Sequence, residues 1–268
     1  MSYEQAGRIA CEAVRIGAEL VRTSTSVEVR EKAERDYVTD VDLAVERELS
    51  AFLAERTPEH GFLGEEHGYR EGAGEQECVW TLDPVDGTSN FARGLPLCAV
   101  SLALVRRGEP VVAAIACPFL DLEFSAIAGQ GAYGGGERLR ASGITDLSRA
   151  LVSMGDFAAG DGSAEHNQRG LRLVAALADE VERVRMFGSA VLDLAWVASG
   201  RTAATVILSN NPWDTAAGVL LAREAGAHVF DASGLPHTAD SAETIAVAPG
   251  ISEDLLALVR RSVLPRGG

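Results

Sequence analysis

The run DPVDGTSNF at residues 83–91 constrains the fold of this chain more than any other segment. The residues just before it, 79–82, are apolar and β-prone, so they predict a strand that runs into the loop. Asp83 and Asp86 therefore lie at a strand end, where backbone turns can aim both carboxylates into one cavity. The run thus predicts a strand, a tight loop and a cavity in one place.

The rest of the run supplies the turn and a cradle for an anion. Pro84 fixes its own φ and keeps the preceding residue extended, whereas Gly87 lets the chain bend sharply and approach a ligand. Residues 88–90 can then open a helix, whose free backbone amides suit a phosphate group. Two carboxylates beside such a cradle make electrostatic sense with a cation between them, and Mg²⁺ prefers hard oxygen ligands. The structural alternative is a capped turn whose aspartates only satisfy local amides.

Apolar periodicity divides the chain into two halves, of which residues 1–145 are expected to be α+β. Apolar residues recur at helical spacing first and at strand-like spacing later, giving predicted helices at 3–21 and 40–56 and predicted strands at 62–63, 79–82, 99–105, 111–117 and 122–128. Residues 107–110 predict a hairpin turn, and the glycine-rich segment 129–136 predicts turns between strands. This half carries most of the candidate carboxylates.

Residues 146–268 alternate strands with helices instead. The predicted strands are 151–154, 184–187, 203–208, 228–230 and 244–247, and the predicted helices are 164–178, 189–199, 213–225 and 252–263. Such alternation favours a layered α/β half with helices on both faces of its sheet. No long linker separates the halves, so they are expected to share an interface and form one functional unit, and clefts at such interfaces are favoured ligand sites.

Composition narrows the classes of function. Aspartate and glutamate outnumber lysine and arginine by 39 to 24, and the formal net charge of −15 opposes nucleic acid and membranes as partners. The same field opposes a phosphorylated substrate unless metal ions reverse its sign locally. The four cysteines lack zinc-type spacing and are expected to be reduced thiols of a cytoplasmic protein. Neither a signal peptide nor an apolar run of the ~18 residues that span a membrane is expected.

Further segments carry carboxylates that a cleft could gather, and each has a simpler interpretation. Glu65 follows the predicted strand at 62–63, although adjacent glutamates are usually a solvated pair. Asp42 lies near the start of the second predicted helix, which Thr39 or Asp40 can simply cap. Asp214 lies in the first turn of a later helix, where the macrodipole favours its charge with or without a metal.

Together these segments resemble the inositol monophosphatase family. The matching motifs are GEE at 64–66, DPVDGTSNF at 83–91, WDTAAG at 213–218, DYVTDVD at 36–42 and GSAVLDLAWVASGR at 188–201. The resemblance covers essentially the whole chain. It implies a layered αβαβα sandwich of the inositol monophosphatase and fructose-1,6-bisphosphatase type, and usually a homodimer. It also implies Mg²⁺-dependent, lithium-sensitive hydrolysis of a small phosphomonoester.

The resemblance implies a metal-binding role for five residues. Carried over position by position, the carboxylate ligands are Glu65, Asp83, Asp86 and Asp214, and Val85 contributes its backbone carbonyl. These ligands would hold two or three Mg²⁺ ions, which Mn²⁺ could replace. Metal coordination lowers the pKa of water toward neutrality, so direct hydrolysis by an activated water is expected, without a phosphoenzyme.

The remaining roles implied by the resemblance concern water, phosphate and substrate. Glu65 and Thr88 would position the attacking water and help to deprotonate it, with Asp42 supporting Thr88. The phosphate would be held at the helix start. Residues implied to contact phosphate or the rest of the substrate are Gly87, Thr88, Ser89, Gly188, Ser189 and Ala190.

Two positions leave the substrate open. In inositol-selective members a glutamate seven residues before the WD aspartate contacts a sugar hydroxyl, but that count lands here on Ile207, which cannot accept a hydrogen bond. Asp156 could read a cationic or hydroxyl-rich leaving group, or be an ordinary exposed loop residue. Sugar, cyclitol and amino-alcohol phosphates therefore stay open.

Other functions also remain as alternatives. Rival substrates are histidinol phosphate, fructose 1,6-bisphosphate and 3′-phosphonucleotides, although the basic side chains that a second phosphate needs are not evident near the motifs. A different class of function is a non-catalytic regulator that uses the same fold to bind a protein.

Overall fold

The helices that open the chain, α1 (Tyr3–Thr23) and α2 (Asp40–Arg56), lie where the periodicity predicts them. Between them the strands β1 (Val29–Ala33) and β2 (Asp36–Thr39) form an antiparallel hairpin that the sequence did not predict. The residues of β1 all face solvent, so the strand lacks the apolar alternation that marks a half-buried strand. The structure is a computed structural model, and the described residues are 1–24, 27–34, 36–74 and 77–263.

The first half builds a sheet of eight strands in the order β10-β9-β8-β7-β6-β5-β3-β4. Neighbouring strands are antiparallel except for the parallel pair β3 and β5. The bounds are β3 (Gly61–Gly64), β4 (Gly68–Arg70), β5 (Cys78–Asp86), β6 (Ala99–Arg106), β7 (Glu109–Cys117), β8 (Leu122–Ile127), β9 (Gly131–Gly134) and β10 (Glu137–Arg138). The short helix α3 (Thr88–Ala92) leaves β5 at the predicted position.

The turns of this sheet agree with the sequence in one place and not in another. The predicted hairpin turn joins β6 to β7, where Arg107 and Gly108 both have positive φ and Arg106 pairs with Glu109. The glycine-rich segment 129–136 is wrong as turns alone, because it contains β9. Gly134 is tolerated in that strand because it packs closely, and a Cβ there would lie 3.0 Å from Phe124 Cδ1.

The second half builds a five-stranded sheet in the order β12-β11-β13-β15-β14. Here β11 is parallel to both neighbours, whereas β15 is antiparallel to both of its own. The bounds are β11 (Leu151–Met154), β12 (Arg183–Arg185), β13 (Ala204–Ile207), β14 (His228–Phe230), β15 (Thr244–Val247), α4 (Ser163–Glu180), α5 (Ala190–Ala198), α6 (Pro212–Glu224) and α7 (Ser252–Val263). The predicted strand at 184–187 ends early, at Arg185, and Phe187 beyond it packs edge-on against Trp196 with ring centroids 4.3 Å apart.

The helices and sheets stack in five layers. On one outer face α1 and α2 cover the first sheet, and on the other α4 and α7 cover the second sheet. Between the sheets, α5 packs Leu192 toward the first and Leu194 toward the second, and so is apolar all round except at Asp193. This order confirms the predicted αβαβα sandwich. The predicted second half ends at 268, so its last five residues, 264–268, lie outside the described residues.

The composition predicts reduced cysteines and no membrane-spanning segment. Cys11, Cys78, Cys98 and Cys117 are all free thiols, and the last two are buried. Among the described residues, no helix is both long and apolar enough to cross a membrane.

Candidate active site

The predicted site residues line one cleft between the halves of the chain. The cleft measures about 920 Å³, part of it open to solvent, and lies where β3 and β5 end and where α3, α5 and α6 begin. The predicted residues that line it are Glu65, Asp83, Val85, Asp86, Gly87, Thr88, Asp156, Gly188, Ser189, Ala190, Ile207 and Asp214. Asp42 contacts Thr88 from behind, whereas Ser89 is exposed and does not line the cleft.

A β-bulge brings Asp83 and Asp86 to the same cleft. In a regular strand, residues three apart point to opposite faces. Here Asp83 pairs with Ser101 and Asp86 with Ala99, so β5 carries one residue more than β6 between these pairs. The extra residue turns the second carboxylate to the face of the first, and Pro84 fits because a bulge tolerates its missing N–H.

The second half of the chain holds Asp86. Its Oδ2 accepts hydrogen bonds from the Ser189 hydroxyl and, at 2.9 Å, from the backbone N–H of Val191. Ser189 is also the N-cap of α5 and accepts from the N–H of Leu192 at 3.2 Å. One free amide at a helix start and one hydroxyl, itself held by the next amide, therefore orient this aspartate.

Asp214 is oriented in a similar way at the start of α6. Its Oδ2 accepts from the backbone N–H of Asn211 at 3.3 Å and from the Asn211 side-chain amide at 3.0 Å, completing a capping box. Pro212 occupies the first turn, where its missing N–H costs nothing.

Thr88 connects the loop to α2. Its hydroxyl lies 3.2 Å from Asp42 Oδ1 and 2.9 Å from the carbonyl oxygen of Val85. The other oxygen of Asp42 accepts from the backbone N–H of Thr39 at 3.0 Å and from the Thr39 hydroxyl. The N-cap of α2 is therefore Thr39, as one of the two sequence alternatives had it, and not Asp40. Asp42 completes the capping box and also contacts Thr88, so capping and the contact with the loop occur together.

Gly87 is required at the turn for two reasons. Its φ is +86°, which L side chains rarely adopt, and a Cβ there would lie 2.7 Å from the carbonyl oxygen of Leu97. Nearby, the Asn90 side-chain amide donates to the carbonyl oxygens of Leu97 and Phe187, both at 2.8 Å. The start of α3 is therefore tied to the segment that precedes α5.

Glu65 and Glu66 share a cation that the sequence analysis missed. Lys32, on β1, places its Nζ 2.9 Å from Glu65 Oε1 and 2.7 Å from Glu66 Oε1. Behind them the buried Glu46 accepts from the backbone N–H of Glu66 at 2.8 Å and of His67 at 2.9 Å. The pair at 65–66 is therefore held in place and is not a freely solvated surface pair.

The carboxylates of the cleft raise one another's proton affinity. Burial raises the pKa of Asp86 to about 7, with repulsion from Asp214 adding to it and the Ser189 hydrogen bond opposing it. Burial also raises the pKa of Asp214 to about 6, and Glu65 adds to that rise. The pKa of Asp83 lies well above its usual value, because the residue is buried beside Glu65 and Asp86.

This donor set fits a hard divalent cation. Buried carboxylates that repel one another gain from a cation, and among the described residues no lysine, arginine or histidine lines the cleft. In the described part of the chain, however, no three carboxylate, histidine or cysteine side chains already converge to enclose an ion. Asp86 and Asp214 instead point to the protein donors described above. The metal-ligand roles therefore stay predictions.

Lys32, Glu46 and Asn90 are the residues that sequence reasoning missed. Glu46 had a signal, because it lies four residues after Asp42 on the buried face of α2, where a charge is unusual. Asn90 lay inside the analysed run but was assigned only to opening the helix. Lys32 had no signal, because its partners are 33 and 34 residues away.

A second cavity, of about 890 Å³, lies on the other side of the start of α6 and is mostly apolar. It shares Asn211 with the cleft, and its charged residues Glu109 and Arg223 pair with each other at 3.0 Å. It gathers none of the predicted catalytic residues.

Comparison with known proteins gives one family. The sequence model of the inositol monophosphatase family matches residues 2–264. A Pseudomonas aeruginosa protein named Nus factor SuhB is 40% identical over 231 residues, covering 84% of this chain and 85% of the relative. Inositol-1-monophosphatase ImpA of Mycolicibacterium smegmatis is 36% identical over 237 residues, covering 87% of this chain and 84% of the relative.

Solved structures agree with this result. The extragenic suppressor protein suhB of Bartonella henselae superposes with a TM-score of 0.88 at 31% identity, covering 96% of this chain and 98% of that one. Inositol monophosphatase from Anabaena superposes with a TM-score of 0.86 at 30% identity, covering 97% and 98%.

Proposed function

Because this chain belongs to the inositol monophosphatase family, we propose that it is a Mg²⁺-dependent phosphatase that hydrolyses a small phosphomonoester. The observation that carries the proposal is the gathering of Glu65, Asp83, Asp86 and Asp214 in one cleft with Thr88 and without a basic side chain among the described lining residues. Such a site repels a phosphate ester unless divalent cations are present. The family and the cleft therefore support the same reaction.

The proposed ligands are the four carboxylates with the backbone carbonyl of Val85. When bound, two or three Mg²⁺ ions, or Mn²⁺ in their place, would act as Lewis acids, activate a water and neutralise charge on the phosphoryl and leaving oxygens. The residues themselves supply hard oxygen donors in a buried site, where the charge of each is costly without a counter-ion.

Thr88 is proposed to orient the attacking water together with Glu65. A hydroxyl group has one proton, and Thr88 can donate it either to Asp42 or to the carbonyl oxygen of Val85. If that carbonyl oxygen serves as a ligand, the proton goes to Asp42. The lone pairs of the Thr88 oxygen then face the cleft, where they can take a proton from the water as the hydroxyl passes its own proton to Asp42.

The phosphate is proposed to lie against the start of α3, with the backbone amides of Gly87 and Thr88 as donors. The positive φ of Gly87 and the missing Cβ allow the close approach that this needs. Gly188, Ser189 and Ala190 lie across the cleft, so they are proposed to border the leaving group. The family resemblance also implies that Ser89 contacts the substrate, but this residue does not line the cleft.

Phosphate release from a panel of monoesters tests the proposal. The panel contains inositol 1-phosphate, hexose phosphates, L-histidinol phosphate, fructose 1,6-bisphosphate and a 3′-phosphonucleotide, each assayed with Mg²⁺, with Mn²⁺, with added Li⁺ and with EDTA. We expect hydrolysis of at least one ester that requires Mg²⁺ and is inhibited by Li⁺. Asp86→Asn is the inactive control, and no hydrolysis of any ester by the parent protein would refute the proposal.

The oligomeric state and the cellular location are proposed from the family resemblance. A homodimer in the cytoplasm is proposed, and sedimentation equilibrium of the purified chain tests the stoichiometry. A mass of one chain at micromolar concentration would contradict the dimer.

A second candidate function is that of a Nus factor, because the Pseudomonas aeruginosa relative at 40% identity carries that name. The net charge of −15 led us to expect no general binding to nucleic acid, which leaves a protein partner as the form such a role would take. Pull-down from a lysate distinguishes the two candidates. A stable protein partner combined with no hydrolysis of any monoester would favour this second candidate.

A further inference from the structure

Asp193 is a buried carboxyl group that the roles proposed above leave unused. It lies in the first turn of α5, lines the active-site cleft and is 0% exposed. Among the described residues, neither of its carboxyl oxygens has a hydrogen-bond partner. The Ser153 hydroxyl is near enough to stabilise the charged form, but does not reach hydrogen-bonding geometry.

An unpaired buried carboxyl group is costly, so its position calls for a donor. Buried polar groups in native proteins nearly always have a partner, and leaving one unsatisfied is costly, more so for a charged group. Here the group lines a cleft that a ligand enters. Both carboxyl oxygens are closed to solvent, so a ligand supplies the missing donor when the side chain turns toward the cleft.

The charge around Asp156 and Asp193, at one end of the cleft, determines which kind of hydrogen-bond donor a ligand can bring there. Metal ions bound as proposed would balance Glu65, Asp83, Asp86 and Asp214, but they would leave Asp156 and Asp193 without a counter-charge. The charge of Asp86 acts on Asp193 most strongly and that of Asp156 adds to it, so Asp193 lies between the proposed metal ligands and Asp156. Since no basic side chain among the described residues lines the cleft, this end attracts a cation and repels a second phosphate.

Apolar residues also form part of the cleft, together with the polar Ser209 and Asn211. Phe157, Ile207 and Leu208 line the cleft, and Gly155 leaves space beside Ile207, since a Cβ at 155 would lie 3.5 Å from Ile207 Cγ2. Apolar walls suit a carbon skeleton but leave the hydroxyl groups of a cyclitol without partners. The combination fits a leaving group with few hydroxyls and one positive charge.

We propose that Asp193, together with Asp156, determines leaving-group specificity and selects phosphate monoesters of amino alcohols, whose protonated amine pairs with these carboxylates. This rests on the phosphatase function proposed above and adds the substrate class. Asp193 lies deepest, and its burial raises the pKa of the carboxyl group well above the usual value. An ammonium group bound beside it would favour the ionised form, whereas Asp156 at the exposed rim adds to the field that draws the amine in.

Matched substrate pairs test the proposal. Each pair is an ω-aminoalkyl phosphate and the n-alkyl phosphate in which a methyl group replaces the amine, with chains of two, three and four carbons. Values of kcat/KM are measured with Mg²⁺ for the parent chain, Asp193→Asn and Asp156→Asn, and p-nitrophenyl phosphate reports activity that does not depend on the leaving-group contact. Asp193→Asn keeps the size of the side chain, and Asp156→Asn, at an exposed position, supplies a second variant if the first does not fold.

We expect the parent to prefer the amine over its alkyl partner by at least about 10-fold at one chain length, as a matched charge in a partly desolvated site implies. Each variant should lose most of that preference through a higher KM for the amine, with a much smaller change in kcat/KM for the alkyl and p-nitrophenyl phosphates. Equal losses for amine and alkyl esters would show a structural role and overturn the proposal. So would hydrolysis of every ester without preference, which leaves the phosphatase function standing, whereas no hydrolysis of any ester overturns both.

Discussion

The hydroxyl of Thr88 lies 3.2 Å from Oδ1 of Asp42, so a residue that caps α2 also orients a residue of the active-site loop. The Asp42 side chain thereby links the start of α2 to the loop that follows β5 in the first sheet. The contribution of the Thr88 hydroxyl to catalysis can therefore be measured separately from that of the proposed metal-binding carboxylates.

Thr88→Ala should lower kcat by about 100- to 1000-fold, because it removes the proposed proton acceptor for the attacking water. Thr88→Ser keeps the hydroxyl and is the matched control, expected to retain most of the activity. Asp42→Asn should fall between them, with a loss of about 10- to 100-fold, since the hydroxyl stays but its orientation is no longer enforced. Steady-state kinetics with Mg²⁺ gives the answer, and a kcat near that of the parent in Thr88→Ala would exclude the water-orienting role.

Glu65→Gln and Asp86→Asn should each lower turnover roughly 100-fold or more, because each removes a charged ligand from the proposed metal site. Glu66→Gln is the control, since Glu66 binds the same lysine as Glu65 but does not line the cleft, and it should stay within about threefold of the parent. Activity is measured across a Mg²⁺ titration, with circular dichroism to show an unchanged fold. Parent-like turnover in either of the first two variants would remove that residue from the ligand set.

Mg²⁺ should stabilise the protein more at pH 8 than at pH 5. Without metal, the folded-state pKa values of Asp86 and Asp214, about 7 and about 6, lie above the ordinary aspartate value of 3.8. Between about pH 4 and pH 7 the folded protein therefore binds more protons than the unfolded chain, so this contribution to stability is lost as the pH rises. Mg²⁺ replaces those protons and should raise the Tm most where the carboxylates are ionised.

The measurement is thermal unfolding in EDTA and in excess Mg²⁺ at both pH values. The double variant Asp86→Asn with Asp214→Asn is the control, and it should show neither the metal effect nor its pH dependence. An equal rise in Tm at pH 5 and pH 8 in the parent would contradict the assignment.

Gly87→Ala should destabilise the protein more than Gly136→Ala. The two glycines have nearly the same φ, +86° and +84°, but a Cβ at 87 meets the carbonyl oxygen of Leu97 at 2.7 Å, whereas a Cβ at 136 meets nothing within 4 Å. Backbone strain alone costs about 1 to 2 kcal/mol. The clash should add about 1 to 3 kcal/mol at position 87 only. Urea unfolding measures both free energies, and equal values would show that the turn relaxes around the new side chain.

Lys32→Gln should lower the Mg²⁺ concentration needed for half-maximal activity. Lys32 binds the carboxylate of Glu65, a proposed metal ligand, and so competes with the metal for it. The expected change is about 2- to 5-fold, the range of an ion pair that is still partly solvated. Lys32→Arg keeps the charge and should resemble the parent. A higher Mg²⁺ requirement in Lys32→Gln would show that the lysine helps the active complex instead.

The sequence predicted the loop after β5 well because its chemistry is local. Proline, glycine and two aspartates within a few residues act through their own backbone, and the helix start at Thr88 follows the same rule. What it did not predict is the bulge that brings Asp83 and Asp86 to one face, because a bulge depends on the pairing with β6. The layered architecture was predicted mainly through the family resemblance.

The missed site residues share a different cause. Asn90 donates to the carbonyl oxygen of Phe187, 97 residues away. Lys32 binds a glutamate that lies outside its own hairpin, and it does so from β1, a strand without the apolar alternation that would have predicted it. Asp193 lies within a family motif, in a helix that is otherwise apolar. Nothing in that pattern predicts that its carboxyl group faces a cleft. Contacts over such separations are set by tertiary packing, which a single sequence does not display.

The hydrogen bonds to Asp86 also bear on how the protein assembles. The donors of this aspartate lie 103 and 105 residues further along the chain, in the helix layer between the sheets. Contacts of such separation pay a large loop-closure entropy and form late in folding. A first half folded around its own sheet would therefore hold Asp86 unoriented, and catalytic competence would arise only when α5 docks. Recovery of activity during refolding should consequently lag behind the formation of secondary structure.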